Sequence, residues 1–132
     1  MFVDGRLDRY GLLDAWRLLD LWGLIQSCDL LVVEDQYFSG FLRGAKTLIR
    51  VAWEPVVLAK LQEKPFQLVQ AATWRRRLWG RIREPNRQAW KQRAVAEVER
   101  RFGLRVSSDL AEAICMGLAM LKCEGRGLDN QS

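Results

Sequence analysis

Residues Leu30-Leu31-Val32-Val33 form an unbroken apolar run that stops abruptly at Glu34 and Asp35. A strand with one wet face alternates apolar and polar residues. An unbroken run predicts a strand covered on both faces, as in a parallel sheet with helices above and below. Such a strand cannot stand alone, so the rest of the chain must supply its neighbours and its helical layers. At 132 residues, 49% apolar and 28% charged, the chain has globular proportions and one domain's length.

The remaining pattern meets that demand. Asp4-Gly5 between short apolar stretches predicts a hairpin joining a strand at Met1–Val3 to one over Arg6–Leu13, since both turn residues tolerate positive φ. Helical spacing runs from Leu12 to Ser27, with Leu12, Trp16, Leu19 and Trp22 on one face. A second helical pattern spans Phe41 to Gln62, where Pro55 is expected to kink or split it. Pro65–Gln70 reads as a short strand, and Thr73 as the cap of a brief helix ending at Trp79. Gly80–Asn86 is an arginine-rich loop. Helices follow at Arg87–Phe102, closed by Gly103, and at Ser108–Lys122. The order is β-β-α-β-α-β-α-α-α, an α/β plan with helices on a mixed sheet. Residues 1–123 read as one domain, and 124–132 as a flexible polar tail.

The chain contains no histidine. That excludes Ser-His-Asp and Cys-His catalysis and histidine zinc sites. Three cysteines, Cys28, Cys115 and Cys123, form no C-x-x-C pair, so a disulfide framework or structural zinc is not expected. A reducing cytoplasm fits. The charged N-terminus has no signal-peptide core, and the longest apolar stretch, Ala113–Leu121, is too short to span a bilayer.

Any catalysis must then use carboxylates, cysteines, lysines or a metal held by oxygen ligands. Glu34 stands at the carboxyl end of its strand, where open α/β sheets bind ligands. It could equally begin a polar loop. Asp109 and Glu112 lie three residues apart on one face of a helix that is apolar nearly all round. The same two acids also fit a capping box. Together Glu34, Asp109 and Glu112 offer hard oxygen ligands suited to Mg²⁺ or Mn²⁺. Two such ions on carboxylates can cleave phosphodiesters.

A dense basic segment supplies the complementary feature. Arg75, Arg76, Arg77, Arg81, Arg83, Arg87, Lys91 and Arg93 interleave with Trp74, Trp79 and Trp90, opposed only by Glu84. Guanidinium groups neutralise phosphates and indoles stack on exposed bases. The alternative is a solvated basic face over core tryptophans. No long amphipathic apolar face accompanies the segment, so a membrane-surface role is not expected. There is no Walker motif or dinucleotide fingerprint.

Asp29-Leu30-Leu31-Val32-Val33-Glu34-Asp35-Gln36-Tyr37-Phe38 resembles the strand of RuvC-type Holliday junction resolvases that ends in a catalytic Glu followed by an aromatic. Gly44-Ala45-Lys46-Thr47-Leu48 and the helix after it look like that family's dimer-interface helix. Pro65–Trp74 is similar to its next strand and basic turn, and Lys91–Gly103 to its basic penultimate helix. Asp109-Leu110-Ala111-Glu112-Ala113 resembles its final acidic motif, with Glu112 where Asp is more usual. The resemblance covers roughly residues 2–122. It implies an RNase H-like fold and a dimeric, Mg²⁺-dependent endonuclease that cuts four-way DNA junctions. Glu34, Asp109 and Glu112 would hold the metals. Tyr37 or Phe38 would touch bases, and Lys91 with Arg75, Arg76, Arg77 and Arg81 would contact phosphates.

The family's first strand, with its catalytic Asp, has no counterpart here. Asp4-Gly5 matches the hairpin between the family's second and third strands instead. The expectation is a sequence that begins late, by about twenty residues. Two further readings remain: a natural, non-catalytic protein that binds branched DNA, and a protein whose arginines meet an acidic partner.

Overall fold

The computed structural model describes residues 1–12, 18–35 and 45–123. It is mixed α/β: β1 (Phe2–Val3), β2 (Arg6–Leu7), α1 (Leu18–Gln26), β3 (Leu31–Glu34), α2 (Ala45–Leu61), β4 (Phe66–Val69), α3 (Ala71–Trp79), α4 (Arg87–Phe102) and α5 (Ser108–Cys123). The strands make two small sheets, antiparallel β1–β2 and parallel β3–β4. Two compact units result: residues 1–12 with residue 72 onward, and residues 13–71. The expected tail falls outside the described residues.

In the first unit, the hairpin forms as its turn chemistry dictates. Asp4 and Gly5 take φ of 51° and 78°, the pair of positive values a type I′ turn requires. Phe2 pairs with Leu7 and Val3 with Arg6. The second strand is shorter than the expected Arg6–Leu13. Beyond Leu7, the amides of Asp8 and Arg9 both turn to the Met1 carbonyl, and the ladder ends. The hairpin rests on α5: a Cβ at Gly117 would collide with the Phe2 ring, 2.8 Å from its Cδ2.

Helices α4 and α5 carry this unit's core. Ala94, Val98, Ala111, Cys115, Leu118 and Ala119 are fully buried. The Cys115 thiol points at the Ala94 carbonyl across 3.7 Å. Small residues let such helices approach, and each large buried side chain such as Leu118 contributes about 2 kcal/mol. Asn86 caps α4, its side chain accepting from the Ala89 amide at 2.8 Å. Gly103 ends α4 in the left-handed conformation, as its position predicts, with its N–H on the Glu99 carbonyl. Gly80 ends α3 by the same device, donating to Arg76. Thr73 lies inside the first turn of α3 rather than before it, because the helix already begins at Ala71.

In the second unit, β3 and β4 align Leu31 with Phe66 and Glu34 with Val69. The Leu31 amide donates to Pro65 and the Asp35 amide to Val69, which extends the ladder at both ends. All four residues of β3 are half-buried, not fully covered. Among the described residues β3 has β4 as its one ladder neighbour, and a pair of strands shelters its faces less than a full sheet. Helix α2 is not split at Pro55 but runs through it, forgoing one backbone hydrogen bond there. Among the described residues, Ile25, Val56, Ala59 and Val69 are buried in this unit. Gln62 ties α2 to α1 by donating to the Trp22 carbonyl at 3.2 Å. Leu12 lies outside α1, whose described part starts at Leu18.

The Asn86 cap gives a direct check. Asn86→Ala should destabilise the protein by about 1 kcal/mol, read by urea denaturation with an unchanged m-value.

Candidate functional site

The last helix positions the acid pair. Ser107 caps α5: its hydroxyl accepts from the Leu110 amide at 3.4 Å, and its carbonyl accepts from the Ala111 amide at 2.9 Å. The capping box expected of Asp109 and Glu112 therefore does not form. Ser107 begins the helix two residues earlier, which places both acids inside it.

Each acid instead meets a cation from the basic segment. Lys91 Nζ lies 3.5 Å from Asp109 Oδ1, and Arg75 Nη2 lies 3.5 Å from Glu112 Oε2. The two pairs differ in setting. The Asp109 side chain is 78% exposed, whereas those of Arg75 and Glu112 are about 18% and 17%. Arg75 is further held over the Trp90 ring at 4.9 Å and the Trp74 ring at 5.5 Å. Its Nε is buried without a hydrogen-bond partner. From there the contacts continue. Trp90 stacks on Trp79 at 5.9 Å and 18°, and Arg93 lies over Trp79 at 5.7 Å. Arg93 Nε then donates to Glu84 at 2.7 Å. A chain Glu112–Arg75–Trp90–Trp79–Arg93–Glu84 thus links α5, α3, α4 and the loop before α4. Each partly desolvated cation–ring contact in it contributes roughly 1 kcal/mol.

The basic segment therefore divides in two. Arg75, Lys91 and Arg93 answer carboxylates within the fold. Arg77 is half-buried, with Nη1 3.3 Å from the Met120 sulfur. Arg76, Arg81, Arg83 and Arg87 are exposed and have no ion pair or side-chain hydrogen bond among the described residues. These exposed groups run from the end of α3 through the loop to the start of α4. Guanidinium groups presented this way suit phosphate oxygens.

Beside them, α3, the loop and α4 enclose an open cleft of about 670 Å³ lined by Trp79, Glu84, Arg93, Glu97, Arg100 and Arg101 among others. Glu97 is its buried charge. Arg100 reaches Glu97 Oε2 through Nε at 3.0 Å and Nη2 at 2.8 Å, while Arg101 Nε reaches Oε1 at 3.1 Å. Burial pushes the Glu97 carboxyl up, but the hydrogen bonds and charges of Arg100 and Arg101 outweigh it and hold the pKa below the ordinary 4.5. The i,i+3 and i,i+4 spacing of these residues was open to reading in the sequence. The Ser107 cap was too, as a serine just before an apolar helix.

Glu34 belongs to the other unit, half-buried at the carboxyl end of β3. Tyr37 and Phe38 lie outside the described residues. Among the described residues, no group of three or more Asp, Glu, Cys or His is placed to hold a metal ion. The two cysteines whose side chains are described behave as packing groups. Cys28 is a half-buried free thiol on the Ile25 carbonyl. Burial, then Glu97, push the Cys115 pKa up to about 12. No helix among the described residues is long and apolar enough to cross a membrane. Comparison of the chain with protein-family models, curated proteins and solved structures found no match.

Glu97 makes stability depend on acid. Its folded pKa is depressed, so its contribution is complete above pH 4.5 and is lost as pH falls through the folded value. Glu97→Gln should cost about 2 kcal/mol at pH 7 and flatten the stability profile below pH 4.5, measured by chemical denaturation at stepped pH.

Proposed function

We propose that this chain is the body of a RuvC-type resolvase: a metal-dependent endonuclease that recognises four-way DNA junctions and hydrolyses their phosphodiester bonds. The observation that carries this reading is Glu34 at the carboxyl end of a parallel strand, the place where α/β sheets hold ligands. The topology supports an RNase H-like plan. Among the described residues the strands form an antiparallel hairpin and a parallel pair, both of which such a plan contains. The exposed arginines from Arg76 to Arg87 support a phosphate partner.

Carboxylates are the donor type Mg²⁺ prefers, but no group of three or more among the described residues is placed to hold an ion. Mg²⁺ is commonly held by one or two carboxylates, with waters and substrate phosphates completing its shell. Asp109 is open to solvent, and both α5 pairs are long at 3.5 Å. The resemblance assigns Glu34 in one unit, and Asp109 and Glu112 in the other, to metal binding. A bound Mg²⁺ or Mn²⁺ would supply an activated water and charge for the leaving oxygen. The chain's own part is to bind and orient. Arg76, Arg81, Arg83 and Arg87 take the backbone phosphates, and Arg75 fixes the Glu112 carboxylate. Tyr37 and Phe38 are assigned to bases by resemblance alone. The setting is cytoplasmic, where Cys28 and Cys115 stay reduced.

A homodimer completes the reading. Trp53, Val57 and Leu61 repeat every fourth residue along α2 and are 44%, 51% and 67% exposed. That apolar ridge suits a second copy of the same helix. Sedimentation should show a dimer for the parent and a monomer for Val57→Glu.

One observation favours the non-catalytic alternative. Asp109 and Glu112 already have counter-ions in Lys91 and Arg75. Incubating the chain with a labelled four-way junction in Mg²⁺, and reading binding by gel shift in EDTA, separates the two. The resolvase reading expects paired cuts that Glu34→Gln abolishes while binding persists. Binding with no cuts under any divalent ion selects the alternative. In either case Arg81→Gln with Arg83→Gln should lower the salt slope of binding by about 2, whereas Arg75→Gln should leave it unchanged.

A further inference from the structure

We propose that Ile82 is a wedge: its apolar side chain enters an unstacked base step of branched DNA while Arg81 and Arg83, on either side of it, hold the adjoining phosphates. The inference rests on the nucleic-acid part of the reading above and needs no metal. It adds what the basic surface recognises, a place where base stacking is already broken.

Ile82 stands out by its setting. Among the described residues from Ala72 onward it is the one large apolar side chain left exposed, at 41%. Trp74, Leu78, Trp79 and Trp90 nearby are all buried or half-buried. Its two chain neighbours are exposed arginines. Two residues of chain span at most about 7 Å, so the arginine stems start close on either side of the isoleucine. A lone isoleucine is too small a patch for a membrane or an apolar protein face, both of which take contiguous apolar area. A gap between two bases takes a single side chain, and isoleucine is among those that fill it.

The loop is mounted to present it. Gly80 ends α3 at φ 75°, with its N–H on the Arg76 carbonyl at 2.8 Å. On the other side, Glu84 accepts from Arg93 Nε at 2.7 Å, Pro85 restricts the backbone, and Asn86 caps α4. Arg81, Ile82 and Arg83 are the three residues between these fixed points. A short span held at both ends loses little freedom on binding, which favours affinity.

The cost of unstacking selects the target. In an intact duplex the wedge must first open a step, and that cost offsets the burial it gains. At a branch point the stacking is already interrupted, so the burial appears as affinity. Ile82 therefore supplies selectivity, whereas the arginines supply attraction to any nucleic-acid backbone.

The test measures fluorescence anisotropy with a labelled four-way junction and a labelled linear duplex of equal length, in EDTA at constant ionic strength. We expect Ile82→Ala to weaken junction binding about tenfold and duplex binding less than about twofold, with the salt slope of both unchanged. Ile82→Leu should keep most of the preference. A fluorescent base analogue that stacking quenches, placed at the branch point, should brighten when the parent saturates the junction and stay dim when Ile82→Ala does. If the parent binds junction and duplex alike, or Ile82→Ala keeps the parent's preference and its brightening, the wedge is refuted while the nucleic-acid reading stands. If the parent binds neither DNA at low salt, the nucleic-acid reading and the wedge fall together, and an acidic protein partner takes their place.

Discussion

An arginine laid between two indoles loses most of its water and must find a counter-charge. Arg75 is in that position, and much of its unit is arranged around it. Trp74 can fill the core at 1% exposure because the guanidinium beside it is answered by Glu112 from α5. Trp90 can stack on Trp79 because Arg93 covers the outer ring and Glu84 answers Arg93. Carboxylates at both ends of this contact chain hold α3, α4, α5 and the intervening loop together. Severing either end would leave a sheltered cation uncompensated, which costs more than the pair itself contributes.

That arrangement decides which basic residues remain for a partner. Composition treats the stretch from Arg75 to Arg93 as one cluster. The fold divides it by what lies opposite each side chain. Residues facing α5 and the cleft become internal counter-ions. Residues on the connecting loop and the helix ends become a surface. Charge density alone could not show this, because Arg75 and Arg76 differ only in which side of α3 they occupy.

Local signals were the legible part of the sequence. Asp4-Gly5 specified its turn, Gly103 its helix end, and the run at Leu31–Val33 its parallel strand. Each depends on a few adjacent residues. The element order could be read for the same reason. Less legible was whatever depended on contacts distant in sequence. The depth of burial of β3 depends on how many strands flank it, which its own residues do not encode. The partners of Asp109 and Glu112 come from residues 18 and 37 positions away, so capping and ion pairing could not be told apart beforehand. The catalytic reading of Glu34 stays a matter of resemblance and of its place at a strand end.

The exposed series from Arg76 to Arg87 is made entirely of guanidinium groups, in a chain without histidine. Arginine does not lose its proton at any pH a protein survives, and histidine is the side chain that ordinarily changes charge between about pH 5 and 8. The surface therefore keeps its full positive field across that range. On the proposed reading, acidification would not tune its grip on a polyanion. Ionic strength would, because each neutralised phosphate releases condensed counter-ions whose entropy depends on the surrounding salt. A surface built this way would register the salt around it and not the proton.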